Sequence, residues 1–576
     1  MRSGPIPFRR TIPAIAALLL ASALSCPALD RNAFAITNYR LTVQLDPEQH
    51  RLGARGTITL RNDSGTPQKN AVLQISSSLD WRSIRAGGLP VQFLRQLYTS
   101  DIDHTGALSE AIVTLPKEVA VKGTIDLDVA YEGLILHDAT RLTRIGAPED
   151  VAKNTDWDRI DAQFTAVRGA GNVAWYPIAT EAADLSQADG LFEVLAEWKA
   201  REIGATMDLE LQNPVAAGEE TPMLVVCSGK GSQSANPENH AGSCHYDNLA
   251  RPPSFAAGAF GIVERPSLSV FNLNNHAGVA ETYAGASEKV LPLITDWFGP
   301  VKGKLRVVDL PESQDASYET GTLLFTPLAS SDPQTVGLTV AHQLAHVAFA
   351  SPRPWVEEGL AHLAQALYLE QEKGRQASLA YMESHRPALA ESEKAASSDQ
   401  DRVRAKGSLV NPSNEETYRD KALYVWWMLR DMIGDAALKK ALALYHPSDD
   451  TEPSYVLRLI SSQTHRDLGW FFEDWINHDK GLPDFKIVTA YSSKTAQNGY
   501  IVTVTLDNSG DAGAEVPVEV KFAGGTVAKR LEVHGSSRTV TRIETSGAPQ
   551  EIIVNDGSVP EKNIRNNTFK IEAATQ

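Results

Sequence analysis

His342-Gln343-Leu344-Ala345-His346 and, shortly after it, Trp355-Val356-Glu357-Glu358-Gly359 decide how this chain is read. Two histidines four apart stand one turn from each other on one face of a helix, so both rings can address a single ion. The apolar run from Val336 to Phe349 supplies that helix, and Pro352 and Pro354 stop it because proline cannot continue the hydrogen-bond ladder. A second helix starts at about Trp355 and brings Glu358 as a third donor. The fourth tetrahedral position is left for water, which distinguishes a catalytic zinc site from a closed structural one. Fourteen histidines in 576 residues give about 0.3 such pairs by chance. The pair alone is therefore weak, and buried helical histidines satisfied by hydrogen bonds are the plain alternative. The downstream Trp-x-Glu-Glu-Gly-Leu-Ala is what favours a metal.

Together these segments resemble the gluzincin metallopeptidases, and within them the aminopeptidase N-like family. The resemblance implies one Zn2+ ion on His342, His346 and Glu358 and hydrolysis of peptide bonds at free amino termini. Ala316-Ser317-Tyr318-Glu319-Thr320-Gly321, ahead of Leu323-Leu324-Phe325, sits where that family carries a Gly-Ala-Met-Glu-Asn strand. Only the glutamate matches, and Glu319 would bind the amino terminus of a peptide; a surface carboxylate on a strand is the alternative. Tyr418-Arg419-Asp420-Lys421 is similar to the family's Tyr-x-Lys-Gly helix, with one extra residue before Lys421 and Ala422 where the family has glycine. Its tyrosine would donate to the developing oxyanion, with Tyr424 or a packing role as alternatives. Leu468 to Ile476, ending at Gly481-Leu482-Pro483, resembles the close of the family's catalytic domain.

Two departures matter. Eleven residues separate His346 from Glu358, fewer than is usual in the family, so the turn between the helices must be tighter. Glu357 is the nearest alternative ligand, and the glycine after Glu358 sets the preferred register. The second departure is Gln343, which stands where an active enzyme has the glutamate that takes a proton from the water and returns it to the leaving amine. An amide has no accessible pKa for either step. Loss of a positioned general base costs about 10² to 10⁴ in rate. Zinc binding should survive, since position 343 is not a ligand.

A chain of 576 residues with 42% hydrophobic content has the material for three or four domains. A net charge of -17 argues against nucleic acid or anionic membrane as partner, each of which needs a basic face. Residues 1–26 read as an export signal, with Arg2, Arg9 and Arg10 ahead of an apolar stretch from Ile12 to Leu24 and small residues at Ala21-Ser22-Ala23. That stretch is too short to span a bilayer, and no other transmembrane segment is present. The expected location is periplasmic or secreted. Lipidation of Cys26 is the less favoured alternative, because Ala23-Leu24-Ser25 matches a lipobox poorly. Cys227 and Cys244 bracket a polar Gly/Ser/Asn-rich loop and suggest a disulfide in an oxidising compartment, against two free thiols.

The expected fold class is multidomain α+β. Leu41, Val43 and Leu45, then Ile58 and Leu60, and further on Ile125, Leu127 and Val129 alternate with polar residues, as strands of a half-buried antiparallel sheet do. They open an amino-terminal β domain at 33–264. From Ala280 the apolar period becomes helical, giving a mainly helical, thermolysin-like catalytic domain at 265–484. Within it the polar stretch from Pro387 to Glu416 is expected to be a loop. Alternation returns after Phe485, for a carboxy-terminal β-sandwich at 485–576. His362, one turn after Glu358, could orient that ligand or simply pack. Two functions remain open: an aminopeptidase-like hydrolase impaired at Gln343, and a pseudoenzyme that binds peptide or protein in the same cleft.

Overall fold

The computed structural model describes residues 29–187, 190–213, 224–233, 240–249, 251–273, 275–398, 408–410 and 417–571. The expected leader at 1–26, with Cys26, lies outside the described residues. Phe34–Asp46 buries Tyr39, Leu41, Val43 and Leu45 on one face and pairs antiparallel with Arg51–Asn62, with Tyr39 opposite Ile58 and Val43 opposite Ala54. The period of two seen in the sequence is thus one buried face of a sheet. Six further strands complete this eight-stranded sheet, in which Phe34–Asp46 also pairs in parallel with the distant Thr206–Asn213. A three-stranded and a four-stranded sheet complete this region around a core that includes Trp81, Tyr131, Trp175 and Trp198.

A mixed five-stranded sheet follows, in the order Gly261–Glu264, Leu268–Asn272, Leu305–Asp309, Leu323–Thr326 and Tyr318–Thr320. Tyr318–Thr320 is the edge strand and runs antiparallel to Leu323–Thr326. Gly321 makes the tight turn between them at φ 61°, a left-handed conformation that costs glycine nothing.

Five helices frame the region below: α1 (Ala277–Phe298), α2 (Pro333–Ala348), α3 (Pro354–Lys373), α4 (Arg375–Ser398) and α5 (Ala422–Ile433). Asp332 caps α2 by accepting from Thr335 N at 2.8 Å, and Pro333 occupies the first turn, where its missing N–H costs nothing. The extended Phe349 ends α2, and Pro354 opens α3.

The expected loop from Pro387 is corrected in its first part, because residues 387–398 are helical and continue α4. Alanine, glutamate, leucine and lysine dominate that segment and are strong helix formers, so its polarity does not exclude a helix. Leu389 still reaches the core. The rest of the expected loop lies outside the described residues apart from 408–410.

At the carboxy-terminal end a three-stranded and a four-stranded sheet bury Val502, Val504 and Leu506 together with Val516, Val518 and Val520. Their core is continuous with that of the helices, and the Trp475 indole donates to the Gly513 carbonyl at 2.6 Å. Sheets and helices together make a mixed α+β protein. Among the described residues no helix is long and apolar enough to cross a membrane.

Candidate metal centre

α2 carries His342, Gln343 and His346, α3 carries Glu358, and the edge strand Tyr318–Thr320 carries Glu319. The depth of Glu358 is set by the residue after it. A Cβ on Gly359 would lie 2.6 Å from the Ala422 Cβ and 2.8 Å from Cδ1 of Trp426, so α3 and α5 meet at a glycine facing an alanine. Trp355 stacks on Trp426 one turn earlier, with ring centroids 5.2 Å apart.

The result is a converging donor set. Nε2 of His342 and Nε2 of His346 are 3.1 Å apart. The Glu358 oxygens lie 3.5 Å from the His346 nitrogen and 3.8 Å from the His342 nitrogen. Three ligands on a tetrahedral ion at about 2.0–2.1 Å stand about 3.3 Å from one another, so the three donors already enclose a gap of the right size. They are the one such cluster of histidine, cysteine and acid side chains among the described residues, and Glu358 rather than Glu357 belongs to it. Glu358 Oε2 is buried and accepts no hydrogen bond of ordinary geometry, and Oε1 faces His346 at 3.5 Å. Chemically the set fits zinc.

Electrostatics prepare the same atoms. Burial pushes the His342 imidazole down to about 4, helped by His346 and opposed by Glu358. It is therefore neutral near pH 7, the form that ligates. Burial works against a charged His346, but Glu358, Glu319 and Glu357 outweigh it and raise that pKa. Glu358 is also desolvated, yet His346, His342 and Arg419 hold its carboxyl below the usual range.

Gln343 is 1% exposed. Its Oε1 accepts from the Tyr283 hydroxyl of α1 at 2.5 Å. Its Nε2 is buried and makes no hydrogen bond of ordinary geometry, and the same is true of Glu319 Oε1. The two groups nonetheless sense each other. Desolvation raises the Glu319 pKa, Glu358 adds to the rise, and His346 and the Gln343 amide oppose it. Glu319 is thus brought close to the donor set and to Gln343.

Beside the residues to which the sequence points, Tyr381, His385 and Gln365 carry no signature that sequence could reveal. His362 packs its ring against His342 at 5.0 Å rather than against Glu358, and its Nδ1 lies 3.2 Å from the Tyr381 hydroxyl. His385 continues the column and bonds to Asp420 at 2.9 Å. Tyr381 donates to Gln365 at 2.7 Å, and Gln365 lies behind His342. Tyr418 and Arg419 sit on a π-helical turn, Thr417–Lys421, that precedes α5. The extra residue in this segment is accommodated by that wider turn. Arg419 Nε reaches Glu358 Oε2 at 3.3 Å. Tyr418 is half-buried beside it, whereas Tyr424 is fully buried and donates to the Met382 carbonyl at 2.8 Å. Cys227 and Cys244 are joined by an S–S bond that ties Leu224–Cys227 to His240–Tyr246 in the amino-terminal sheets.

No family profile and no curated protein matches the chain. Solved structures do. An M1 zinc metallopeptidase from Deinococcus radiodurans is 17% identical with a TM-score of 0.50, covering 76% of this chain and 93% of its own. A point variant of a two-domain M1 zinc metallopeptidase bound to L-arginine is 18% identical with a TM-score of 0.50, covering 75% of this chain and 91% of its own. At these identities the likeness is one of fold: the chain is folded as M1 zinc metallopeptidases are.

Proposed function

We propose that the chain is an exported zinc-binding protein of the aminopeptidase N-like gluzincin type that engages peptides by a free amino terminus and hydrolyses them weakly or not at all. In this reading residues 1–26 direct export to the periplasm or beyond and are removed. The β region at 33–264, the catalytic-type region at 265–484 and the β-sandwich at 485–576 are its domains. The observation that carries the reading is the convergence of His342, His346 and Glu358 around an ion-sized gap, with an amide in place of a carboxylate at position 343.

Each residue has a part. His342, His346 and Glu358 would hold one Zn2+, which when bound supplies Lewis-acid polarisation of a carbonyl and lowers the pKa of water. Glu319, desolvated and close to this group, would pair with the ammonium of a peptide and thereby fix which end enters. Tyr418 would donate its phenolic proton as a hydrogen bond to the carbonyl oxygen as charge develops there. Gln343 can donate from Nε2 but cannot take a proton, so the step that needs a general base has none at this position.

The locked amide favours binding over turnover. With its oxygen engaged by Tyr283, Gln343 offers the cleft an N–H2 group, which holds an acceptor such as a peptide carbonyl but activates nothing. The reading is tested by elemental analysis of protein saturated with zinc and dialysed, alongside titration with a short peptide and its N-acetylated form. One equivalent of zinc and preference for the free amine support it. Less than a tenth of an equivalent, in the limit of careful loading, would end it.

A further inference from the structure

Glu358 faces more than its two histidines. Its Oε1 is turned to His346, and its Oε2 lies 3.3 Å from the Nε of Arg419. Arg419 cannot drift far, because the π-helical turn that carries it is pinned on the next residue, where Asp420 accepts from His385 of α4 at 2.9 Å. On its other side Lys421 is buried and ion-paired with Asp479. A π turn holds one residue more than an α turn and swings side chains off the usual helical face. Here it brings a guanidinium to the back of the carboxylate that completes the donor set.

We infer that Arg419 is a positioning residue that tunes the metal affinity of the His342–His346–Glu358 group. It engages Glu358 Oε2, which is also 3.8 Å from His342 Nε2, and leaves Oε1 facing His346 at 3.5 Å, and its charge offsets that of the one carboxylate in the donor set. The inference rests on the zinc reading above. Two neutral imidazoles, one carboxylate and one guanidinium sum to zero charge, so a dication meets no net attraction from the set and repulsion from a nearby cation. The Arg419 side chain is 41% exposed, so solvent and salt screen much of that repulsion. What remains is about a tenfold weakening of zinc binding. The arginine would thus keep the site from holding metal at the highest affinity its ligands allow, with Glu358 fixed for one-oxygen ligation.

The test measures zinc affinity by competition with a chromophoric chelator, on the full chain and on Arg419→Gln and Arg419→Lys. Arg419→Gln should bind zinc about tenfold tighter, with the gain shrinking as salt is added. Arg419→Lys keeps the charge and should stay within about twofold of the unmodified protein. Should Arg419→Gln fail to fold, Arg419→Met, which preserves the apolar stem, carries the same expectation. An arginine that only props up the turn would weaken zinc binding when lost. Equal or weaker binding by the neutral variants, with the unmodified protein taking one equivalent, therefore overturns the inference. An unmodified protein that takes no zinc removes the metal reading itself, and the inference with it.

Discussion

The Tyr283 hydroxyl donates to Oε1 of Gln343 across 2.5 Å inside the core. This one contact fixes the orientation of the amide. Its oxygen is directed at α1, and its N–H2 at the side on which Glu319 stands. A carboxylate at this position could accept from Tyr283 with one oxygen and keep the other for proton transfer. The amide spends its only acceptor on the phenol. In the proposed reading, the position of the general base is thus occupied by a fixed donor.

Removing Glu358 should remove the metal. In Glu358→Ala two imidazoles remain, and zinc bound by equilibrium dialysis should fall from one equivalent to a small fraction of that. The metal-free variant should still fold, because Glu358 is not among the residues of the hydrophobic core. Stoichiometric zinc in the variant would show the ligand to be another group.

Glu319→Gln keeps the shape of the side chain and removes its charge. If the carboxylate pairs with an ammonium, affinity for a peptide with a free amino terminus should drop by about 1.5–3 kcal/mol, the worth of a hydrogen bond to a charged group. The N-acetylated peptide should bind both proteins alike. Calorimetric titration of the two peptides decides the matter, and an equal loss for both would mean Glu319 is not an amine anchor.

Packing at Gly359 is intolerant. A valine there would drive its Cβ to 2.6 Å from that of Ala422 and 2.8 Å from Trp426, and overpacking of this kind costs about 1–3 kcal/mol. Gly359→Val should therefore lower the denaturation midpoint. It should also weaken zinc binding, because the strain falls on the residue next to Glu358. A variant as stable as the parent would mean that α3 and α5 are not in close contact.

One pH effect lies far from the metal centre. Glu561 is fully buried and accepts from Asn555 at 2.6 Å, from Asn567 and from the Phe485 N–H at 3.1 Å. Burial pushes its carboxyl from 4.5 up to about 7 against the pull of those donors. The folded state therefore holds this proton more tightly than the unfolded chain. Stability from it is complete below 4.5 and is lost as pH rises to about 7, by about 3 kcal/mol at most. Melting temperatures of the parent and of Glu561→Gln should diverge in favour of the variant as pH rises through that window. A difference that is constant with pH would contradict the shift.

The parts of this architecture that repeat locally were legible in the sequence. Alternation marked Phe34–Asp46 and Arg51–Asn62 as strands, and the two prolines bounded the helices that present His342, His346 and Glu358. Relationships between distant segments were not legible. Nothing local announces that Phe34–Asp46 pairs in parallel with Thr206–Asn213. Tyr283 lies sixty residues before Gln343 and reads as one more core aromatic on an amphipathic helix. Arg419 follows Tyr418 with no motif of its own, and its approach to Glu358 depends on a π turn that no periodicity encodes. The helix past Pro387 was hidden for the opposite reason: a segment with few large apolar residues carries little apolar period to mark it.

The most direct measurement compares hydrolysis of a panel of aminoacyl fluorogenic substrates by the zinc-loaded protein and by Gln343→Glu. The variant restores a carboxylate at the position Tyr283 fixes, and kcat/KM should rise by about 10² to 10⁴ over a parent rate at or near background. Efficient turnover by the unmodified protein, unchanged in Gln343→Glu, would contradict a site whose chemistry is limited at residue 343.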